Sequence, residues 1–91
     1  MTPEISIIIP TYAPGELLWT CLDSLEQQTL GKNAYEVCLV LNGDKEPYFD
    51  KIKEHLKNYK MKVSLIYCEH KGVSFARNMG IEFAKGKYLT F

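Results

Sequence analysis

The chain reads as an α/β protein built on a parallel sheet, with right-handed crossovers and helices on both faces. Two observations predict this. Apolar residues alternate between the spacing of a buried strand and that of an amphipathic helix, in the order β-α-β-α-β-α-β along 91 residues. Each strand-like run also ends in turn-forming or hydroxyl-bearing residues, and open α/β sheets bind ligands in the crevice outside the carboxyl ends of their strands.

The first element is Ile5-Ser6-Ile7-Ile8-Ile9, a buried strand rich in β-branched residues that is expected to stop at Pro10-Thr11-Tyr12. Over residues 14–29 the spacing becomes helical, with Leu17, Leu18, Cys21, Leu22 and Leu25 on one face and Glu16, Asp23, Glu26 and Gln27 on the other. Gly31-Lys32-Asn33 breaks that helix. Residues 36–41 form a second buried strand ending at Asn42-Gly43-Asp44. Asp44 suits an N-cap and Pro47 a first helical turn, after which Phe49, Ile52, Leu56 and Tyr59 mark the buried face of a second helix. Residues 62–67 alternate as a third strand. Val73, Ala76, Gly80, Phe83 and Ala84 then give a third helix ending near Gly86, and Tyr88 begins a fourth strand.

Composition bounds the function. At 46% hydrophobic content the chain makes one compact domain, burying roughly 60–68% of the surface of its unfolded form. Eleven Lys and Arg balance eleven Asp and Glu, and the basic residues are scattered, so nucleic acid is not an expected partner. No apolar run reaches the roughly 18 residues of a membrane span, and no signal peptide is recognisable, so a soluble, intracellular, cytoplasmic segment is expected. Cys21, Cys38 and Cys68 form no metal-ligand spacing and read as inert buried thiols. His55 and His70 lack partners at zinc-site spacing and read as surface or structural side chains.

Three loops should meet on one sheet edge: residues 10–15, 41–46 and 68–73. In the second, Asn42-Gly43 suits both a hydrogen bond to a base edge and ordinary turn chemistry. In the third, Lys71-Gly72-Val73-Ser74 opens a helix, where free backbone N–H groups and the macrodipole favour phosphate. Arg77 either joins such a phosphate site, lies on a solvated face, or pairs with a carboxylate such as Glu69 or Asp44. Neither a P-loop nor a GxGxxG fingerprint is present, and no nucleophile triad has credible spacing, so no catalytic residue is assigned.

Four segments, in order, resemble the N-terminal half of the family 2 glycosyltransferases. They are Ser6-Ile7-Ile8-Ile9-Pro10-Thr11-Tyr12, Cys21-Leu22-Asp23-Ser24-Leu25-Glu26-Gln27-Gln28-Thr29, residues 35–43, and Gly72-Val73-Ser74-Phe75-Ala76-Arg77-Asn78-Met79-Gly80-Ile81, which runs on through Ala84-Lys85-Gly86-Lys87-Tyr88. The resemblance implies a Rossmann-like GT-A fold, of which residues 1–91 are the N-terminal part of a single domain cut after its fourth strand. It also implies inverting transfer from a nucleotide-diphosphate sugar to a carbohydrate or lipid-linked acceptor.

By the same resemblance, Pro10, Thr11 and Tyr12 line the nucleobase and ribose pocket. Asn42, beside Gly43, stands where the family usually has an aspartate contacting the base. Lys71, Gly72 and Arg77 face the nucleotide and its diphosphate, with Asn78 fixing that segment. Two departures concern the base: Ala13 replaces a common asparagine, and Leu41-Asn42-Gly43-Asp44 replaces the usual Asp-Asp-Gly-Ser. The family's Asp-x-Asp motif for Mn²⁺ or Mg²⁺ follows the strand matching Tyr88-Leu89-Thr90-Phe91, so neither metal ligands nor a catalytic base are expected in this chain. The piece alone should therefore be inactive. An edge left unpaired at Tyr88-Leu89-Thr90-Phe91 would favour self-association, and the full-length enzyme would work in the cytoplasm or at the cytoplasmic face of a membrane. The reading from another class is a non-catalytic α/β module that binds a nucleotide or a protein partner.

Overall fold

The computed structural model describes residues 3–27, 34–70, 72–86 and 88–90. Seven elements follow in the order β1 (Ile5–Tyr12), α1 (Glu16–Glu26), β2 (Tyr35–Asn42), α2 (Tyr48–Leu56), β3 (Lys62–Cys68), α3 (Val73–Phe83) and β4 (Tyr88–Thr90). All pairings are parallel and the strand order is β3-β2-β1-β4. The chain thus steps outward from β1 through β2 to β3, then crosses back over the sheet to place β4 on the other side of β1. With right-handed crossovers that reversal puts α3 on the opposite face from α1 and α2.

The two faces of β2 carry the two cores. Tyr35, Val37, Leu39 and Leu41 join Leu18 and Leu22 of α1, Ile52 of α2 and Met61 on one face, with Ile5, Ile7 and Ile9 packed against them. Cys38 and Val40 join Ile8, Ile66, Cys68 and Ala76 of α3 on the other. All eight residues of β2 are buried, as expected of a strand covered on both sides. Burial pushes the Cys38 thiol up to about 11, with the Glu36 charge adding to the shift and Lys62 opposing it. Cys38 is therefore unreactive at neutral pH.

Several expectations need correction. β1 continues through Pro10 to Tyr12, pairing Pro10 with Val40 and Tyr12 with Asn42. Proline is tolerated near strand ends and open edges, and among the described residues β4 pairs with Ile5, Ser6 and Ile7, at the opposite end of β1 from Pro10. α1 begins at Glu16, while Gln28, Thr29 and Gly31-Lys32-Asn33 lie outside the described residues. Its buried stripe is narrower than expected: Leu18 and Leu22 are buried and Leu25 half-buried, whereas Leu17 and Cys21 are exposed. Leu17 and Cys21 form their own i, i+4 pair one row around the helix, so only Cys38 and Cys68 are buried thiols. Asp44 does not cap α2. A turn in which Phe49 N–H reaches the Lys45 carbonyl intervenes, and Pro47 takes the cap position without a side-chain bond.

A polar network closes the end of the sheet opposite the loops named above. Ser6 Oγ donates to Glu36 Oε2 at 2.6 Å, Lys85 N–H donates to the same oxygen at 2.6 Å, and Gly86 N–H donates to Ser6 Oγ at 2.8 Å. Burial alone would raise the Glu36 carboxyl. The Ser6 hydroxyl and the Lys85 N–H, helped by the Lys62 and Lys85 charges, instead hold it below the ordinary carboxylate value.

A depressed carboxyl stabilises the fold above its unfolded pKa and loses that contribution as pH falls through its folded value. In the full-length protein, Glu36→Gln keeps an oxygen acceptor but loses the charge. It should lower the unfolding free energy at pH 7 by about 1–2 kcal/mol, and denaturant titrations should show that gap closing as pH falls below the ordinary carboxylate range. A gap independent of pH would refute the charged role. Gly80 gives a second test, because a Cβ there would lie 2.5 Å from Ile8 Cγ2 and 3.3 Å from Val40 Cγ2. Helix propensity favours alanine by about 0.8–1 kcal/mol, but overpacking costs about 1–3 kcal/mol. Gly80→Ala should therefore lower the denaturation midpoint, and a raised midpoint would show that α3 can shift off the sheet.

Candidate functional site

The parallel register aligns three strand ends in one row: Tyr12 pairs with Asn42, and Asn42 with Cys68. The loops that follow therefore meet on one edge, as the sequence predicts. A cleft of about 110 Å³ opens there, lined by Pro10, Thr11, Tyr12, Asn42 and Val73. Its two sides are the end of β1 and the start of α3.

Tyr12 supplies the most accessible aromatic surface, at 58% exposure. Its ring lies against Gly43, where an added Cβ would stand 2.6 Å from the ring edge. Gly43 also has a φ of +92°, so both its backbone conformation and its lack of a side chain set the place of Tyr12. The turn is tied down on two more sides: Gly43 N–H donates to the Cys68 carbonyl at 3.2 Å, and the Tyr67 hydroxyl donates to the Gly43 carbonyl. Lys45 places its ammonium 5.0 Å from the centre of the Phe49 ring and 5.8 Å from that of Tyr67, which leaves a cation beside the same edge.

Asn42 is buried at 5% exposure. Its Oδ1 accepts the Gly72 N–H at 3.0 Å, and its Nδ2 donates to the His70 carbonyl. Gly72, at a φ of +128°, is the residue from which α3 departs, and no side chain of its own caps the helix. The first N–H groups of α3 lack intrahelical acceptors, as at any helix start.

Of the residues singled out in the sequence, Pro10, Thr11, Tyr12 and Asn42 line the cleft together, and Gly43 and Gly72 adjoin it. Arg77 and Asn78 are exposed on α3 and do not line the cleft. Arg77 lies one turn beyond Val73, on the same flank of the helix. Lys71 lies outside the described residues. Two contributors were missed in the sequence. Val73, 50% exposed at the first turn of α3, stands in the sequence as a helix position at the end of the third loop and not as a site residue, and Tyr67 only as strand alternation. Among the described residues no three His, Cys, Asp or Glu side chains stand together to hold a metal ion. The described residues do not fit a metal site. No helix of the described residues is long and apolar enough to cross a membrane.

A parallel α/β sheet of this strand order, with a cleft at its carboxyl edge between β1 and α3, is a Rossmann-like nucleotide-binding architecture, and its structural neighbours are glycosyltransferases of the GT-A type. The S. aureus TarS 1-349 crystal structure superposes with a TM-score of 0.81 at 26% identity, over 94% of this chain and 26% of that one. Residues 6–91 match the family Glycosyl transferase family 2, and the chain belongs to that family. Similar proteins include the uncharacterized glycosyltransferase YibD of Escherichia coli, 38% identical over 99% of this chain and 25% of that protein. The glycosyltransferase AglE of Haloferax volcanii is 36% identical over 98% of this chain and 29% of its own length. The poly(ribitol-phosphate) beta-glucosyltransferase of Bacillus spizizenii is 36% identical over 97% and 14%. The chain thus spans between 14% and 29% of the length of these three relatives.

Ala13 carries a clear test of the edge. Its φ of 43° places a residue with a Cβ in the left-handed region, which costs an ordinary L-residue roughly 1–2 kcal/mol and which asparagine or glycine enters more readily. An asparagine at this position would relieve that cost. Ala13→Asn should raise the unfolding free energy of the full-length protein by about 0.5–1.5 kcal/mol, and a lowered thermal midpoint would contradict the backbone conformation described for residue 13.

Proposed function

We propose that this chain is the nucleotide-diphosphate-sugar-binding portion of an inverting glycosyltransferase. The whole protein transfers a sugar from that donor to a glycan or lipid-linked acceptor in the cytoplasm or at the cytoplasmic face of a membrane. Membership of family 2 supports sugar transfer in general, and the relative named for poly(ribitol-phosphate) supports a polymeric acceptor. One observation carries the donor assignment: an exposed aromatic ring, Tyr12, and the start of a helix, Val73, face one cleft at the carboxyl edge of the sheet.

Size decides how much of the donor this cleft takes. Ligand sites for small molecules are typically about 300–1,000 Å³, so a cleft of about 110 Å³ suits one ring and not a whole sugar nucleotide. The base fits there against Tyr12. The diphosphate then lies along the first turn of α3, where backbone N–H groups without intrahelical acceptors favour anionic oxygens, with Arg77 one turn further on. A divalent cation on the diphosphate and a carboxylate base for the acceptor hydroxyl are required by this chemistry. Their ligands are assigned to parts of the whole protein other than the residues described.

Titration of the full-length protein with UDP, GDP and dTDP tests the reading. At least one should bind. A base–aromatic stack is worth about 1–3 kcal/mol, so Tyr12→Ala should weaken binding roughly 5- to 150-fold. An affinity unchanged by loss of the ring would refute the base pocket.

A further inference from the structure

We propose that Asn42 is a positioning residue of the donor cleft, holding the α3 side against the β1 side, and not a reader of the nucleobase. The inference rests on the nucleotide-sugar reading above. Its side chain bridges a donor and an acceptor of the same loop: Oδ1 takes the Gly72 N–H at 3.0 Å, and Nδ2 gives a hydrogen to the His70 carbonyl. That pairing fixes the orientation of the amide, since the Gly72 N–H must meet oxygen and the His70 carbonyl must meet nitrogen.

An aspartate at this place would turn a carboxylate oxygen toward the His70 carbonyl. It satisfies one partner and repels the other. The residue that follows the clamp is Val73, which faces Pro10, Thr11 and Tyr12 across the cleft. Asn42 is also 5% exposed, so its amide is set into the sheet edge and Tyr12 presents the open surface. The width of the cleft, rather than the identity of the base, is what Asn42 controls.

The test uses the full-length protein, with Asn42→Asp and Asn42→Ala. Affinities for UDP, GDP and dTDP are measured well below each variant's thermal midpoint, and exchange of the Gly72 amide is followed in the unaltered protein. Positioning predicts that all three nucleotides weaken by a common factor of about ten in both variants, since lost pre-organisation is blind to the base. It also predicts a Gly72 amide protected from exchange. A changed ranking among the three bases, including a gain for one of them with Asn42→Asp, would make Asn42 a base reader and overturn the proposal. Unchanged affinities in folded variants would overturn it too. A Gly72 amide exchanging like an exposed loop removes the clamp whatever the variants do. If the unaltered protein binds none of the three while Gly72 stays protected, the nucleotide-sugar reading falls and takes the role of Asn42 with it, though the clamp itself stands.

Discussion

Both ends of α3 are stapled to the sheet by the only two polar side chains of β2 that face it. Glu36 and Asn42 sit six residues apart on the strand, on the same face as Cys38 and Val40. Glu36 receives the Lys85 N–H just beyond the end of the helix, and Asn42 receives the Gly72 N–H at its start. Between the staples, Ala76 and Gly80 let the helix backbone lie close on Ile8 and Val40. A strand buried on both faces is an expensive place for polar groups unless they are fully paired. Here the pairing converts that cost into a fixed position for one helix, and every element of the cleft on its α3 side inherits it.

The opposite face is organised by the same logic with different groups. Tyr35 passes its hydroxyl to the Leu25 carbonyl at 2.7 Å, and the Glu26 carboxylate accepts the Lys60 and Met61 N–H groups at 2.8 and 3.0 Å. The Tyr59 hydroxyl donates to Asp23, and burial together with that bond pushes its ionisation upward, out of reach at neutral pH. Trp19 stacks on His55 at 4.0 Å between ring centres. These contacts bind α1 to β2, to α2 and to the segment joining α2 to β3. None of these polar side chains lines the cleft, so they serve the rigidity of the sheet on which the cleft is built.

Strand identity was legible in the sequence because a strand covered on both faces has one dominant signal, a continuous apolar run, and β1 and β2 both carry it. Helix faces were less legible. Leu17 and Leu18 are chemically alike, and only the sheet beneath α1 decides that Leu18 turns inward and Leu17 stays 87% exposed. Proline removes a ladder donor, so in the sequence Pro10 reads as a stop. Where a strand ends within its sheet is a tertiary fact that no local pattern encodes. The site divides in the same way. Tyr12, Asn42 and Gly43 announce themselves by type and by their place after apolar runs. The clamp from Asn42 to Gly72 spans thirty residues, and nothing in either residue alone points to the other.

The cleft is a preformed surface. Sites carried on strand ends and helix starts hold their geometry better than sites on long loops, and a ligand then pays less to order them. Tyr12 is the last residue of β1, Asn42 the last of β2, and Val73 the first of α3. The left-handed Ala13 and the positive φ of Gly43 follow directly after two of those ends, so the chain turns away at once and leaves the ends uncovered. Conformational cost is accepted at the turns so that the strand and helix termini stay both rigid and accessible, the combination a donor-binding edge requires.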